Sequence, residues 1–303
     1  MWWPLTAHRL RSRGVFGMNA RNVGGILRHN PRALFPIVDD KLKLIEICQR
    51  IGVPTPAVYA VFERHGDLRH LREVLDAHPD CVIKPARGSS GRGIVLLTGR
   101  LSAGYLRNNG STSTINELRR HLSDLLSGMY SLGGRPDRAI IQQRLTTHPT
   151  MERISYRGTP DVRVLVYRGE PAMAMLRLPT LESNGRANLH QGGVGAGVDI
   201  GTGRTTRAVW RGRSIDRHPD TGEPLAKRTI PDWPAILLAA KTIARATGLG
   251  YVGVDVVPDA TSGAMVLEAN ARPGLAIQTA NGVGLGKVLE RIDAMMESGS
   301  RVA

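Results

Sequence analysis

Two apolar runs near the end of the chain, GYVGVDVVP and AMVLEANARPGL, are separated by a short polar stretch with Thr261 and Gly263. Their length and β-branched content predict a β-hairpin turning near Thr261–Gly263. The constraint on the fold comes from the charge inside it. Asp255 interrupts the apolar run, and a carboxylate buried in such a strand is costly unless a cation meets it. Glu268 and Asn270 are two residues apart, so they share a sheet face, and pairing with the first strand brings Asp255 beside them. Three hard oxygen donors together suit magnesium. An arginine paired with a buried Asp255 satisfies the same electrostatics, and both readings stand.

A second constraint is VIKPARGSSGRGI at residues 82–94. Lys84 precedes the glycines, which excludes a Walker A loop, where the lysine follows them. Gly88, Gly91 and Gly93 run straight into apolar Ile94–Leu97 rather than into a helix, which argues against a dinucleotide fingerprint. The expected element is strand, glycine turn, strand. Such a flap can approach anionic oxygens with free backbone N–H groups, or it can be an ordinary hairpin. A third stretch, SNGRANLHQGG, offers Arg186, Asn188 and His190 between glycines, as a loop that folds over phosphate does. His190 also reads as a structural histidine.

At 303 residues with 41% hydrophobic content, the chain is long enough for two folded lobes. An aromatic content of 4% argues against a nucleic-acid binder that works by stacking, and 35 glycines with 18 prolines fit an α/β protein rich in tight turns. The 41 basic against 26 acidic residues give a formal +15, a field that attracts nucleotides, acidic peptides, nucleic acid or anionic lipid alike. No specific nucleic-acid partner is expected. No run reaches the roughly 18 apolar residues of a membrane span, and the start has basic residues without an apolar signal region, so the expected location is cytoplasmic. Cys48 and Cys81 sit in apolar surroundings without metal spacing and read as core thiols.

Along the chain, residues 1–38 show no clear period and are expected to form an irregular basic arm, readable as a surface-docking segment or as a frayed terminus. Asp39 or Asp40 then caps a predicted helix stopped by Gly52 and Pro54. VYAVF and CVIKP read as strands with a helix around 70–77 between them. Residues 101–116 turn polar and read as a surface excursion. A helix through Leu118–Leu126, a strand AIIQQRL, a hairpin turning at Arg168–Gly169 and a helix closed by Gly248 follow.

Taken in order, DDKLKL, VIKPARGSSGRGI, IIQQRL, DVRVLV, GRANLHQGG, GVDVV and VLEANARPGL resemble the ATP-grasp superfamily, and within it the RimK-type α-L-glutamate ligases, over roughly residues 39–288. The resemblance implies an α/β (α+β) ATP-grasp fold with two α+β lobes clasping ATP. It sets residues 39–145 as the N-terminal lobe with the glycine flap and 146–303 as the C-terminal lobe with the magnesium site. The family's N-terminal substrate-side domain is read as truncated. It also implies that Lys41, Lys84, Gly91 and Gly93 serve the ATP phosphates, Gln143, Arg144 and Leu145 the adenine hinge, and Asp161 the ribose. Arg186 and Asn188 would reach phosphate, and Asp255, Glu268 and Asn270 would hold magnesium, or manganese in its place. Arg177 and Arg272 would face the reacting centre, with Arg272 and His190 on the substrate. Gln143 stands where the family usually has Glu, and Arg272 where the RimK pattern usually has a small residue.

The function so implied is an ATP-dependent carboxylate–amine ligase working through an acyl phosphate, adding an amino acid such as glutamate to a peptide or small-molecule acceptor. Its partners would be ATP, a carboxylate substrate and an amine acceptor such as an acidic peptide or protein tail. A homodimer or a partner protein would supply the missing acceptor surface. Two rivals are an ATP-grasp kinase acting on a hydroxyl and a non-catalytic basic binding module.

Overall fold

The computed structural model of the chain describes residues 3–88 and 91–300. Two compact units form. One takes the N-terminal stretch to Asp39, Lys43–Pro54 and the chain from Thr147 onward; the other takes Asp40–Leu42 and Thr55–Thr146. Among the described residues each unit is built on one antiparallel sheet.

In the smaller unit the strands are β1 (Val58–Phe62), β2 (Asp80–Pro85), β3 (Val95–Leu101), β4 (Gly104–Arg107), β5 (Thr112–Ser113) and β6 (Ala139–Gln143), in the order β1-β6-β2-β3-β4-β5. Cys81, Ile83, Leu97 and Ile141 point to one face, where Leu118, Leu122 and Leu125 of the helix Ile115–Leu126 bury against them. The i, i+4, i+7 spacing makes that contact, and a capping box fixes where the helix starts: Thr114 Oγ1 accepts from Glu117 N while Glu117 accepts from Thr114 N. Residues 101–116 depart from the expected loop excursion. β4 and β5 fold there because Tyr105 drives into the core, 2% exposed, and donates its hydroxyl hydrogen to Asp76.

The larger unit holds β7 (Asp161–Tyr167), β8 (Glu170–Leu178), β9 (Val194–Val198), β10 (Thr205–Trp210), β11 (Arg213–Ile215), β12 (Tyr251–Asp259) and β13 (Gly263–Asn270), ordered β11-β10-β9-β8-β7-β12-β13. The expected hairpins form, β7–β8 turning at Arg168 and Gly169, both with positive φ, and β12–β13 closing at Gly263. Period-two alternation gives the sheet two different faces. Val162, Val164, Ala174, Leu176, Val252 and Val254 pack in the core with the helix Trp233–Thr247. On the opposite face Leu165, Tyr167, Met173, Met175 and Tyr251 form an apolar half with the helices Ala276–Asn281 and Leu285–Ser300. The same face continues into a row of charged side chains.

The N-terminal arm is helical rather than irregular. A helix spans Trp3–Ser12, and a π-helix spans Arg21–Leu27 before a 3-10 helix at Arg32–Leu34 and a short α-helix at Phe35–Asp39. Tertiary bonds override its weak periodicity. Asn30, 2% exposed, donates to the carbonyls of Tyr251 and Ala271 and accepts from Tyr251 N, and Gln278 both accepts from Phe16 N and donates to its carbonyl. Cys48 and Cys81 are buried thiols, pushed by desolvation up to about 11 and 12, which suits inert core residues.

Candidate active site

The charged row follows from strand register. Asp161 pairs with Arg177 across β7–β8, Arg163 with Asp255 across β7–β12, and Asp255 with Glu268 across β12–β13. Asp161 and Arg163, two apart, share a face, so these positions face one side of four neighbouring strands, and Asn270 lies two beyond Glu268. The cation demanded by Asp255 is arginine. Arg163 Nε and Nη2 donate to its two oxygens at 2.6 Å each, and Arg177 Nη2 donates to Oδ2 at 2.5 Å. Arg177 Nε also donates to Asp161 Oδ1 at 2.5 Å, and Arg163 lies 3.9 Å from Glu268.

Burial and charge divide the two aspartates. Burial raises both carboxyls, but two guanidiniums outweigh it at Asp255 and hold its pKa near 2. At Asp161 burial and the charge of Asp255 outweigh the Arg177 pair and the more distant charge of Arg163, and its pKa is pushed up to about 6. Arg163 is the residue sequence reasoning missed. Its signal was present, since DVR places an arginine two residues from an acid on a strand expected to be buried.

A hard cation would find its donors on this face. Glu268 has a side-chain exposure of 37%, and the amide oxygen of Asn270 accepts from Arg272 N, holding that side chain at the strand end. Among the described residues no group of three His, Cys, Asp or Glu side chains is arranged for a metal, so the set is two carboxylates and one amide. It fits magnesium under one condition: both Asp255 oxygens already accept guanidinium hydrogens, so the ion must arrive with negative charge that engages the arginines. Arg272 itself pairs with Asp39, at 2.7 and 2.8 Å, and stacks over Phe35 at 4.8 Å.

The loop after β8 carries the remaining residues of this unit. Asn188 Oδ1 accepts from His190 N and caps the turn Leu189–Gln191, while Arg186 and His190 are exposed. Arg177 is the penultimate residue of β8, so this loop leaves the sheet at the same end as the charged row.

In the smaller unit Lys84 lies on β2 and Lys41 opens the helix Lys41–Arg50; both are buried. Lys41 is tied to the flap base, its N donating to Ala86 O at 3.0 Å and its Nζ to Gly88 O at 2.8 Å. Gly91 and Gly93 take positive φ, and a Cβ at Gly93 would meet Tyr130 at 2.7 Å. Ser89 and Ser90 lie outside the described residues. Asp40 does more than cap, since its buried carboxylate accepts from Leu42 N, Arg138 and Arg87. Gln143 Oε1 accepts from Ala57 N, Arg144 forms a two-pronged pair with Asp80, and Leu145 is buried.

The two antiparallel sheets, the glycine flap and the acid–amide set on one sheet face define an ATP-grasp protein. The chain belongs to the sugar-transfer associated ATP-grasp family, whose pattern matches residues 20–294. ATP and magnesium are general features of such proteins. Curated relatives include a protein named probable alpha-L-glutamate ligase from Trichodesmium erythraeum, 26% identical over 278 residues, covering 91% of this chain and 70% of the relative. A protein of the same name from Legionella pneumophila (strain Corby) is 26% identical over 256 residues, covering 84% of this chain and 63% of its own length. Among solved structures, the RimK domain ATP-grasp protein from Sphaerobacter thermophilus is 14% identical with a TM-score of 0.48, covering 91% of this chain and 78% of that one.

Proposed function

We propose that the protein is an ATP-dependent carboxylate–amine ligase that joins an amino acid such as glutamate to a peptide or small-molecule acceptor. A carboxylate oxygen of the substrate attacks the γ-phosphorus of ATP, the bond to the β-phosphate oxygen breaks, and ADP leaves. The incoming amine then attacks the acyl carbon of the acyl phosphate, loses a proton, and expels inorganic phosphate. Neither step needs a nucleophile from the protein, so the chain's work is charge placement and orientation.

The observation that carries this reading is the row from Arg177 through Asp161, Arg163 and Asp255 to Glu268 and Asn270. Asp255, Glu268 and Asn270 would hold magnesium, or manganese in its place; when bound, the ion neutralises charge on the phosphates. Arg163 and Arg177 are the cations that exchange Asp255 for phosphoryl oxygens, and Arg272 serves the substrate carboxylate. Lys41, Lys84 and the backbone around Gly91 and Gly93 take the phosphates, with Arg186 and Asn188 reaching them from the β8–β9 loop and His190 toward the substrate. Gln143, Arg144 and Leu145 hold adenine, mainly through backbone groups, and Asp161 the ribose side. The chemistry is that of a cytoplasmic enzyme, where ATP is available.

The test is ADP release with magnesium and ATP across glutamate, other amino acids, acidic peptides and sugar acids, the last because the family is described as sugar-transfer associated. A ligase gives release that needs both a carboxylate and an amine. Release driven by a hydroxyl compound alone identifies a kinase instead.

A further inference from the structure

The first 38 residues contain six arginines and no aspartate or glutamate. Arg9, Arg11, Arg13, Arg28 and Arg32 are all exposed, and none forms an ion pair among the described residues. With no acidic residue in the same stretch, these arginines are a local concentration of positive charge without a compensating carboxylate of its own.

Apolar side chains stand among these arginines. Met18, Val23 and Leu27 are 61%, 65% and 55% exposed, and Leu10 is exposed as well. Val23 and Leu27, four residues apart in the π-helix Arg21–Leu27, share one side of it, and Met18 lies in the helical turn Met18–Ala20 just before. Gly25 and Ile26 take the opposite side and are buried, with Gly25 so close that a Cβ would lie 3.4 Å from the Tyr251 ring. The segment is therefore anchored by its inner side and presents an apolar stripe outward, flanked by arginines.

We infer that this N-terminal segment is a docking surface for an anionic membrane, lying in the interface without crossing it. Apolar side chains inserting at headgroup depth, with uncompensated basic charge beside them, are what such adsorption requires. An acidic polymer would use the arginines and leave the stripe in water, and a protein partner would call for opposing charges of both signs. No helix among the described residues is long and apolar enough to cross a membrane, which agrees with surface attachment. The inference does not depend on the ligase reading.

The experiment is co-sedimentation of the full chain with vesicles of neutral phosphatidylcholine and of phosphatidylcholine with one quarter phosphatidylglycerol. Binding to the anionic vesicles is expected, weakening as salt rises, with little on neutral ones. The variant Val23→Ser/Leu27→Ser keeps every charge and should bind about tenfold more weakly, while its circular dichroism spectrum stays that of the parent. A second variant, Arg28→Gln/Arg32→Gln, should lose affinity with a reduced salt dependence. Equal binding to both vesicle types, no binding to either, or undiminished vesicle binding by the serine variant each overturns the inference. So does release from vesicles by polyuridylate at equal phosphate, which would assign the surface to nucleic acid, or a serine-sensitive dimer in light scattering, which would assign it to a second copy.

Discussion

Arg163 grips Asp255 edge-on across neighbouring strands, two nitrogens to two oxygens, and Arg177 adds a third bond from the next strand over. With Asp255 1% exposed, this is a buried pair whose members depend on each other. Asp255→Ala strands two guanidiniums and should cost about 3–5 kcal/mol in urea unfolding. Glu268→Ala, at the open edge of the row, should cost less than about 1 kcal/mol. Equal losses would show that the row is not anchored at Asp255.

The same pair governs metal entry. Calorimetric titration of magnesium into nucleotide-free protein should give no saturable binding, because Asp255 is engaged and two positive charges face the ion. With a non-hydrolysable ATP analogue present, magnesium-dependent binding should appear, and chelation should abolish it. Tight binding of magnesium alone would contradict the arrangement.

Asp161 titrates in an accessible range. Its native pKa, pushed to about 6, lies above the unfolded carboxyl value of about 3.9, so the native state holds a proton that the unfolded chain releases. Its contribution is fully present below the unfolded value and fades as pH rises through 6. Subtracting the melting profile of Asp161→Asn from that of the parent should reveal a loss of relative stability between about pH 4 and 6, levelling off above it. A flat difference would mean that Asp161 stays ionised.

Gly93 must be glycine for two reasons, its φ of +75° and the Tyr130 ring beside it. Gly93→Ala should destabilise by more than about 1 kcal/mol and weaken nucleotide binding, read by urea unfolding and by fluorescence of a labelled ATP.

The N-terminal clip is a separate unit of stability. Asn30→Ala leaves Tyr251 N and the carbonyls of Tyr251 and Ala271 unpaired in a buried place, and should cost about 2–3 kcal/mol. Loss of hydrogen-exchange protection should concentrate at residues 15–30 and 251.

Much of this was readable in the chain. Alternation placed Asp255, Glu268 and Asn270 on one face, and the β7–β8 and β12–β13 turns fell where Arg168–Gly169 and Thr261–Gly263 suggested. What sequence left open was the partner of Asp255, because pairing between β7 and β12 joins residues 92 positions apart. Residues 101–116 and the N-terminal arm misled for a related reason: their composition is that of loops, and Tyr105 and Asn30 order them through distant contacts. Strand β9 is interrupted by glycines and β10 and β11 are short, largely polar runs, which local pattern does not distinguish from turns.

The most direct measurement is trapping with hydroxylamine in the presence of magnesium, ATP and glutamate or the carboxylate found active in ADP release. The account predicts a hydroxamate formed in step with ADP and lost in Glu268→Ala, which the unfolding data should show to be folded. ADP release without hydroxamate, or hydroxamate undiminished by that substitution, would contradict the acyl-phosphate ligase reading.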